Sequence, residues 1–313
     1  MTHDSSAQLD LFDSTPGVDS AEPSAPSLLR ADLVGSLDTP EPVPEDKRLT
    51  GERHIFDALM WLHRFAWLSS RMVAALIFPG ASQSWPLARR LLKKMLTDKL
   101  ILQRALPQGG SVYLLAVKGA RLLNQAAGTK AGSGQSLSIG NAIHRACSNW
   151  YLIGQVQAGL DIFTEHEIAS GRAPFQTLNG KQFDGAVVHA PCDNGTRLVT
   201  AVEAERAPKN RQRRQSVCDI ATRHLGRDAM TRLGVDAAGV ELYLARLAVV
   251  ATSVDALRSM AATFQEAHRL QIASELCLAS VDVAVLPTSP SLVPGEIVSG
   301  NLWWDVMQPH TLG

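Results

Sequence analysis

Cysteine is scarce and scattered. Cys147, Cys192, Cys218 and Cys277 form no Cys-x-x-Cys pair, which excludes the usual zinc spacings and reads as reduced thiols in a cytoplasmic protein. No apolar run approaches the roughly 20 residues that a bilayer crossing needs, so no membrane contact is expected. The N-terminus is acidic and lacks an apolar h-region, which argues against a secretory signal. No internal repeat is evident. Net charge is also missing, since 30 basic residues balance 30 acidic ones.

That balance hides a segregation. Residues 1–52 hold eleven acidic side chains against three basic ones, whereas residues 53–124 hold eleven basic against only Asp57 and Asp98. A basic block of unmixed sign is the footprint expected of a nucleic-acid surface. With 313 residues and 45% apolar composition, the chain has the material for about two packed domains.

Four sections follow from composition. Residues 1–50, rich in Pro, Ser and Asp, bury too little apolar surface to offset their ordering entropy and are expected to be disordered. Residues 53–125 read as three helices, a β-hairpin turning at "PQGG", and a closing helix. The Gly- and Ser-rich residues 126–137 read as a linker. In residues 138–313 helices and strands alternate, with strands expected near "DIFTEHEI", "KQFDGAVVH", "TRLVTAVEAE", "VELYLARLAVVA" and "SVDVAVLP".

The third helix of residues 53–125 segregates its side chains. At about 100° per residue, Ala88, Leu91, Leu92, Met95 and Leu96 cover one side and Arg89, Arg90, Lys93 and Lys94 the other. The order of helices and hairpin resembles the winged-helix superfamily. That resemblance implies a DNA partner, with Gln83, Ser84 and Arg89 near base edges and the other cations on phosphates. The turn at Gln108, Gly109 and Gly110, flanked by Arg104, would touch the adjacent backbone. A solvated charged face is the plain alternative.

Residues 138–250 resemble the restriction-endonuclease-like core, in which an Asp ends one strand and a Glu-x-Lys triplet lies on the next. Asp184 in "QFDGAVV" takes the first place, and "AVEAERAPK" supplies Glu203, then Glu205 where the lysine is expected. By that resemblance Asp184, Glu203 and Glu205 would hold Mg²⁺ or Mn²⁺, with Glu165 or Glu167 completing the set and Lys209 standing in for the lysine. Ion pairing of the two glutamates with Arg206, Arg211 or Arg213 is the plain alternative. "KNRQRRQ" adds Lys209, Arg211, Arg213 and Arg214 as a second phosphate contact. His144 and His166 lack a second ligand at metal spacing and read as ordinary side chains. The whole layout, over residues 50–250, also resembles the replication-relaxation and mobilisation-accessory proteins of plasmids and integrating elements.

The acidic leader carries one apolar cluster, "QLDLF". It resembles the pentapeptide by which bacterial replication and repair proteins bind the DNA polymerase sliding clamp. The resemblance implies that Gln8 hydrogen-bonds at a polar pocket and that Leu11 and Phe12 fill an apolar cleft. Leu9 and Asp10 would help to orient the strand. The expected fold class is therefore α/β (α+β), a winged helix-turn-helix followed by a restriction-endonuclease-like mixed sheet, after a disordered tail. Three functions compete: a DNA-binding accessory factor recruited to the clamp, a divergent metal-dependent endonuclease, and a winged-helix regulator whose second domain senses or forms a homodimer.

Overall fold

The computed structural model describes residues 46–301, except 108, 208, 209, 228, 229, 290, 291 and 297, and of residues 298–301 only the backbone. The pentapeptide Gln8 to Phe12, Gln108, Lys209 and the pair Trp303 and Trp304 lie outside the described residues. The described chain is a mixed α/β fold with nine α-helices and two sheets.

The first helix, α1 (Lys47–Phe65), begins earlier than its apolar pattern suggests. The Asp46 carboxylate accepts from the Arg48 N–H at 2.8 Å, capping the helix, so residues 47–50 belong to it and not to the expected disordered tail. Ala58, Leu59, Leu62 and Phe65 face inward at helical spacing. After the two-residue strand β1 (Leu68–Ser69), the Ser69 hydroxyl caps α2 (Ser70–Ile77) by accepting from Met72 N–H. Helix α3 (Ser84–Thr97) tolerates Pro86 because the first turn needs no donor there. Strands β2 (Ile101–Ala105) and β3 (Ser111–Leu115) pair antiparallel, and β1 joins the far side of β3. Helix α4 (Val117–Ala127) ends on left-handed Gly128. Its Gly119 leaves no room for a side chain, since a Cβ would stand 2.1 Å from the Leu100 carbonyl oxygen.

Residues 126–137 connect this part to the next, and they are held in place. A single 3-10 turn, Gly134–Ser136, packs Gly134 against Leu114 of β3. Helix α5 (Ala142–Gln157) follows, then β4 (Asp161–Thr164). The strand expected over "DIFTEHEI" stops at Thr164, where a capping box with Glu167 starts the short helix α6 (Glu165–Ala169).

Strands β5 (Gly185–Pro191) and β6 (Arg197–Glu205) continue an antiparallel meander from β4. Helix α7 (Arg211–His224) and strand β7 (Thr231–Val235) lead to β8 (Glu241–Ala251), which runs parallel to β6. Helices α8 (Val254–Arg269) and α9 (Glu275–Ala279) lead to β9 (Val281–Val285), parallel to β8, and β10 (Val298–Asn301) closes the edge. The order across the sheet is β10-β9-β8-β6-β5-β4, with β7 paired to β8.

Both sheet faces are covered, which is why β6 and β8 read as near-continuous apolar runs. Val187, Val202, Ala248 and Val250 pack with Ala146, Cys147 and Ile153 of α5 in one core that also holds Leu59, Leu62 and Leu92. Ala201 and Val249 point to the other face, against Val217 and Cys218 of α7 and Phe264 of α8. The first core thus joins the helical part to the large sheet.

Candidate nucleic-acid interface and carboxylate cluster

Helix α3 and the β2–β3 hairpin enclose an open groove of about 560 Å³. Its wall is cationic, from Arg89, Arg90 and Lys93, and partly aromatic, from Trp85 and Tyr113, with Gln103 between. Ala88, Leu92 and Met95 occupy the opposite side of α3 and are buried. Burying that stripe forces the cations outward. Among the described residues none of these three cations forms an ion pair, whereas Lys94 is bound to Asp98 at 3.0 Å. Trp85 is fixed from two sides: its indole N–H donates to the Ser70 hydroxyl at 3.1 Å, and the Arg71 guanidinium lies 3.9 Å over its ring. Arg89 sits 5.2 Å from the same ring. Burial raises the Tyr113 pKa against the charge of Arg89, so the phenol is neutral and can donate a hydrogen bond. Tyr113 and Gln103, which line the groove, and Arg71, which lies over Trp85, were not legible as site residues, because each comes from a different element.

Gln83 is exposed just before α3, and Ser84 is half-buried with its N–H bound to the Ala81 carbonyl at 3.0 Å. Arg104 does not face outward as expected at the hairpin. Its guanidinium donates to the carbonyls of Leu137 and Gln135, and to that of Gly134 at 3.2 Å. The Leu137 and Gln135 carbonyls, with the Gly134 carbonyl that Leu137 N–H already shares, are a stronger local attraction than solvent. On α7, Arg211 and Arg213 are exposed, whereas Arg214 is half-buried and donates to the Thr263 hydroxyl at 3.1 Å, fastening α7 to α8.

At the other site, Asp184 stands at the entry to β5. Its N–H donates to Val202 O at 2.9 Å, and its carboxylate accepts from Ala204 N–H at 2.8 Å and contacts His144 Nε2 at 3.1 Å. Glu203 on β6 is 2% exposed, and its carboxylate accepts from Lys181 Nζ at 2.8 Å. Glu205, also 2% exposed, ends β6 opposite Ala251 of β8. Burial opposes ionisation of Asp184, but the His144 hydrogen bond and charge, the Ala204 N–H and Lys181 outweigh it and lower its pKa. Burial likewise works to lower the His144 pKa, and the hydrogen bond and charge of Asp184, with Glu165 and Glu203 behind it, raise it overall.

Sequence reasoning passed over His144 and Lys181. The helix α5 brings His144 to Asp184 across 40 residues, and Lys181 lies three positions before Asp184 in "KQFDG", which was a signal available in the sequence. Glu165 and Glu167 do not join the cluster as ligands. Arg145 binds Glu165 through Nε at 2.7 Å and Nη2 at 3.0 Å, and Arg64 Nε binds Glu167 at 2.8 Å. Among the described residues no group of three His, Cys, Asp or Glu side chains is arranged to hold a metal ion. With Asp184 committed to His144 and Ala204, and Glu203 to Lys181, the side chains as placed do not fit Mg²⁺ or Mn²⁺.

The fold defines the chain as a mixed α/β protein, and none of its described helices is long and apolar enough to cross a membrane. Comparison with family models, with curated proteins and with solved structures finds no match to this chain.

Proposed function

We propose that this chain is a DNA-binding accessory factor for replication or mobilisation of a bacterial mobile element, recruited to the DNA polymerase sliding clamp through Gln8 to Phe12. The observation that carries the reading is the groove along α3, where Arg89, Arg90 and Lys93 project together beside Trp85 and Tyr113. Cations presented together attract phosphates, and the flat side chains offer apolar contact to sugar and base. The element order α1, β1, α2, α3, β2, β3 supports a winged-helix reading of residues 53–125. The α5-β4-α6-β5-β6-α7-β7-β8 order, with an antiparallel meander β4-β5-β6 and β8 parallel to β6, supports a restriction-endonuclease-like reading of the sheet.

The clamp contact rests on the sequence "QLDLF" alone. Burying Leu11 and Phe12 is worth about 1.5–3 kcal/mol each, and with the Gln8 hydrogen bond it works against the cost of ordering the peptide. A pull-down with purified clamp tests it: Gln8→Ala, Leu11→Ala, Phe12→Ala together should abolish capture while DNA affinity stays the same. Equal capture by both forms rejects clamp recruitment.

A second reading, a metal-dependent endonuclease, draws on Lys181. Its ammonium at Glu203 supplies the cation that Glu205 does not. Metal entry would require the His144–Asp184 and Lys181–Glu203 contacts to open. Nicking of supercoiled DNA in Mn²⁺ that disappears in Glu203→Ala supports this reading, and protein that leaves every DNA form intact removes it.

A further inference from the structure

A cavity of about 360 Å³ lies where the end of α1, the connector after α4 and the α6 segment meet. His63, Lys130, Ser133, His166, Ser170 and Arg172 provide its polar lining, and among the described residues no carboxylate lines it. Arg172 is half-buried there and makes no ion pair among the described residues. Its Nε donates to the Ser170 hydroxyl at 2.8 Å, Nη1 to His63 Nε2 at 2.7 Å, and Nη2 to the His63 carbonyl at 3.1 Å. Two of its five N–H groups remain for another acceptor. The acidic group whose charge acts on it, Glu167, is already occupied by Arg64 and by Thr164 N–H at 2.9 Å.

The ring chemistry points the same way. Arg172 only donates, so His63 Nε2 must accept and Nδ1 carries the proton as a donor. Burial and then the Arg172 charge hold both His63 and His166 down to about 4. The rings are therefore neutral at pH 7 and add no charge, and the Arg172 charge is answered only in part, by a Glu167 carboxylate that Arg64 already binds. A half-buried guanidinium with no carboxylate bonded to it is costly, and an anion that reached it would gain charge-assisted hydrogen bonds.

We propose that this seam binds a small phosphate monoester, held by Arg172, Lys130 and the Ser133 and His166 side chains. Donors on two separate segments, the connector (Lys130, Ser133) and the α6 segment (His166, Arg172), suit a group with three terminal oxygens better than a carboxylate with two. The volume sits at the low end for small-molecule sites, roughly 300–1,000 Å³. Binding would tie α1, the connector and α6 together. The proposal stands independently of the DNA reading.

The phosphate could belong to a free ester or to the 5′ end of a DNA strand, and one experiment separates them. Inorganic phosphate and adenosine monophosphate are titrated into the full chain, with sodium chloride at matched ionic strength as control, reading melting temperature and histidine ring resonances. Both ligands should raise the melting temperature and move the His63 and His166 signals, assigned with His63→Asn and His166→Asn. Lys130→Ala combined with His166→Asn should weaken binding by about tenfold or more, the scale of one hydrogen bond to a charged group. Should His166→Asn itself lower the melting temperature, Lys130→Glu alone serves, since that side chain is exposed. Displacement of bound adenosine monophosphate by a 5′-phosphorylated duplex, but not by its unphosphorylated twin, assigns the site to DNA ends. No displacement by either assigns it to a free ester. Unmoved ring signals, or a shift of equal size in the variants, overturns the site.

Discussion

Replacing Arg89, Arg90 and Lys93 together by alanine removes the three unpaired cations of the α3 groove while leaving its buried stripe untouched. If each neutralises one phosphate, the slope of log affinity against log salt should fall by about 2.7, from 0.9 per contact. Raising salt fourfold, from about 50 to about 200 mM, then costs the native protein roughly 40-fold more affinity than it costs the variant. Fluorescence anisotropy with a labelled duplex across that salt range measures both slopes. Because all three side chains are exposed, folding stability should change by no more than about 0.5 kcal/mol per site. A slope that stays the same in the variant, with the protein folded, would show that α3 does not meet phosphates and that the cations are only a solvated face.

Arg104→Ala should lower unfolding free energy by about 1–3 kcal/mol, through the Leu137 and Gln135 carbonyls left without their donor, and leave the salt slope unchanged; a lower slope at constant stability would return Arg104 to the DNA surface. The His144–Asp184 pair has a defined pH signature. The His144 pKa is raised on folding, so its contribution is complete below 6.5 and is lost as pH rises through the folded value; that of Asp184 is lowered, so its contribution is present above 3.8 and is lost as pH falls through the folded value. Denaturant unfolding of native protein and His144→Gln should therefore differ most between about pH 4 and 6.5 and converge on the alkaline side, and a gap that widens with rising pH refutes the pairing. Gly119→Ala should destabilise by about 1–3 kcal/mol, because its methyl group would overlap the Leu100 carbonyl and α4 would have to move away from the hairpin; an unchanged denaturation midpoint would contradict that packing.

Local pattern was enough wherever one residue's neighbours in sequence are its neighbours in space. The inward stripe Ala88, Leu92, Met95 and the outward Arg89, Arg90, Lys93 follow from helical periodicity alone. A cap at Ser69 or Ser70, Pro86 in a first turn and a glycine at a helix end follow from backbone chemistry, and the structure uses Ser69 and Gly128. The same kind of signal was present in "TEHE", where Thr164 and Glu167 form a capping box, but the apolar residues before it made a longer strand the stronger expectation. Strand β7 escaped because it is short and carries Gly234, whose missing side chain leaves space for the Pro174 carbonyl.

The sequence by itself determined the basic surface of α3, the alternation of helices and strands, and the presence of Asp184, Glu203 and Glu205 near strand ends. Tertiary structure alone decided what those charges do. It turned Arg104 inward to carbonyls some 30 residues away, gave His144 to Asp184 and Lys181 to Glu203, and left Arg172 without a carboxylate in the seam beside α1. The physical reason is range: helical periodicity and capping act within a few residues, whereas the pairing of a charge depends on which distant group the packed core brings within about 3 Å, and on how much water that core excludes.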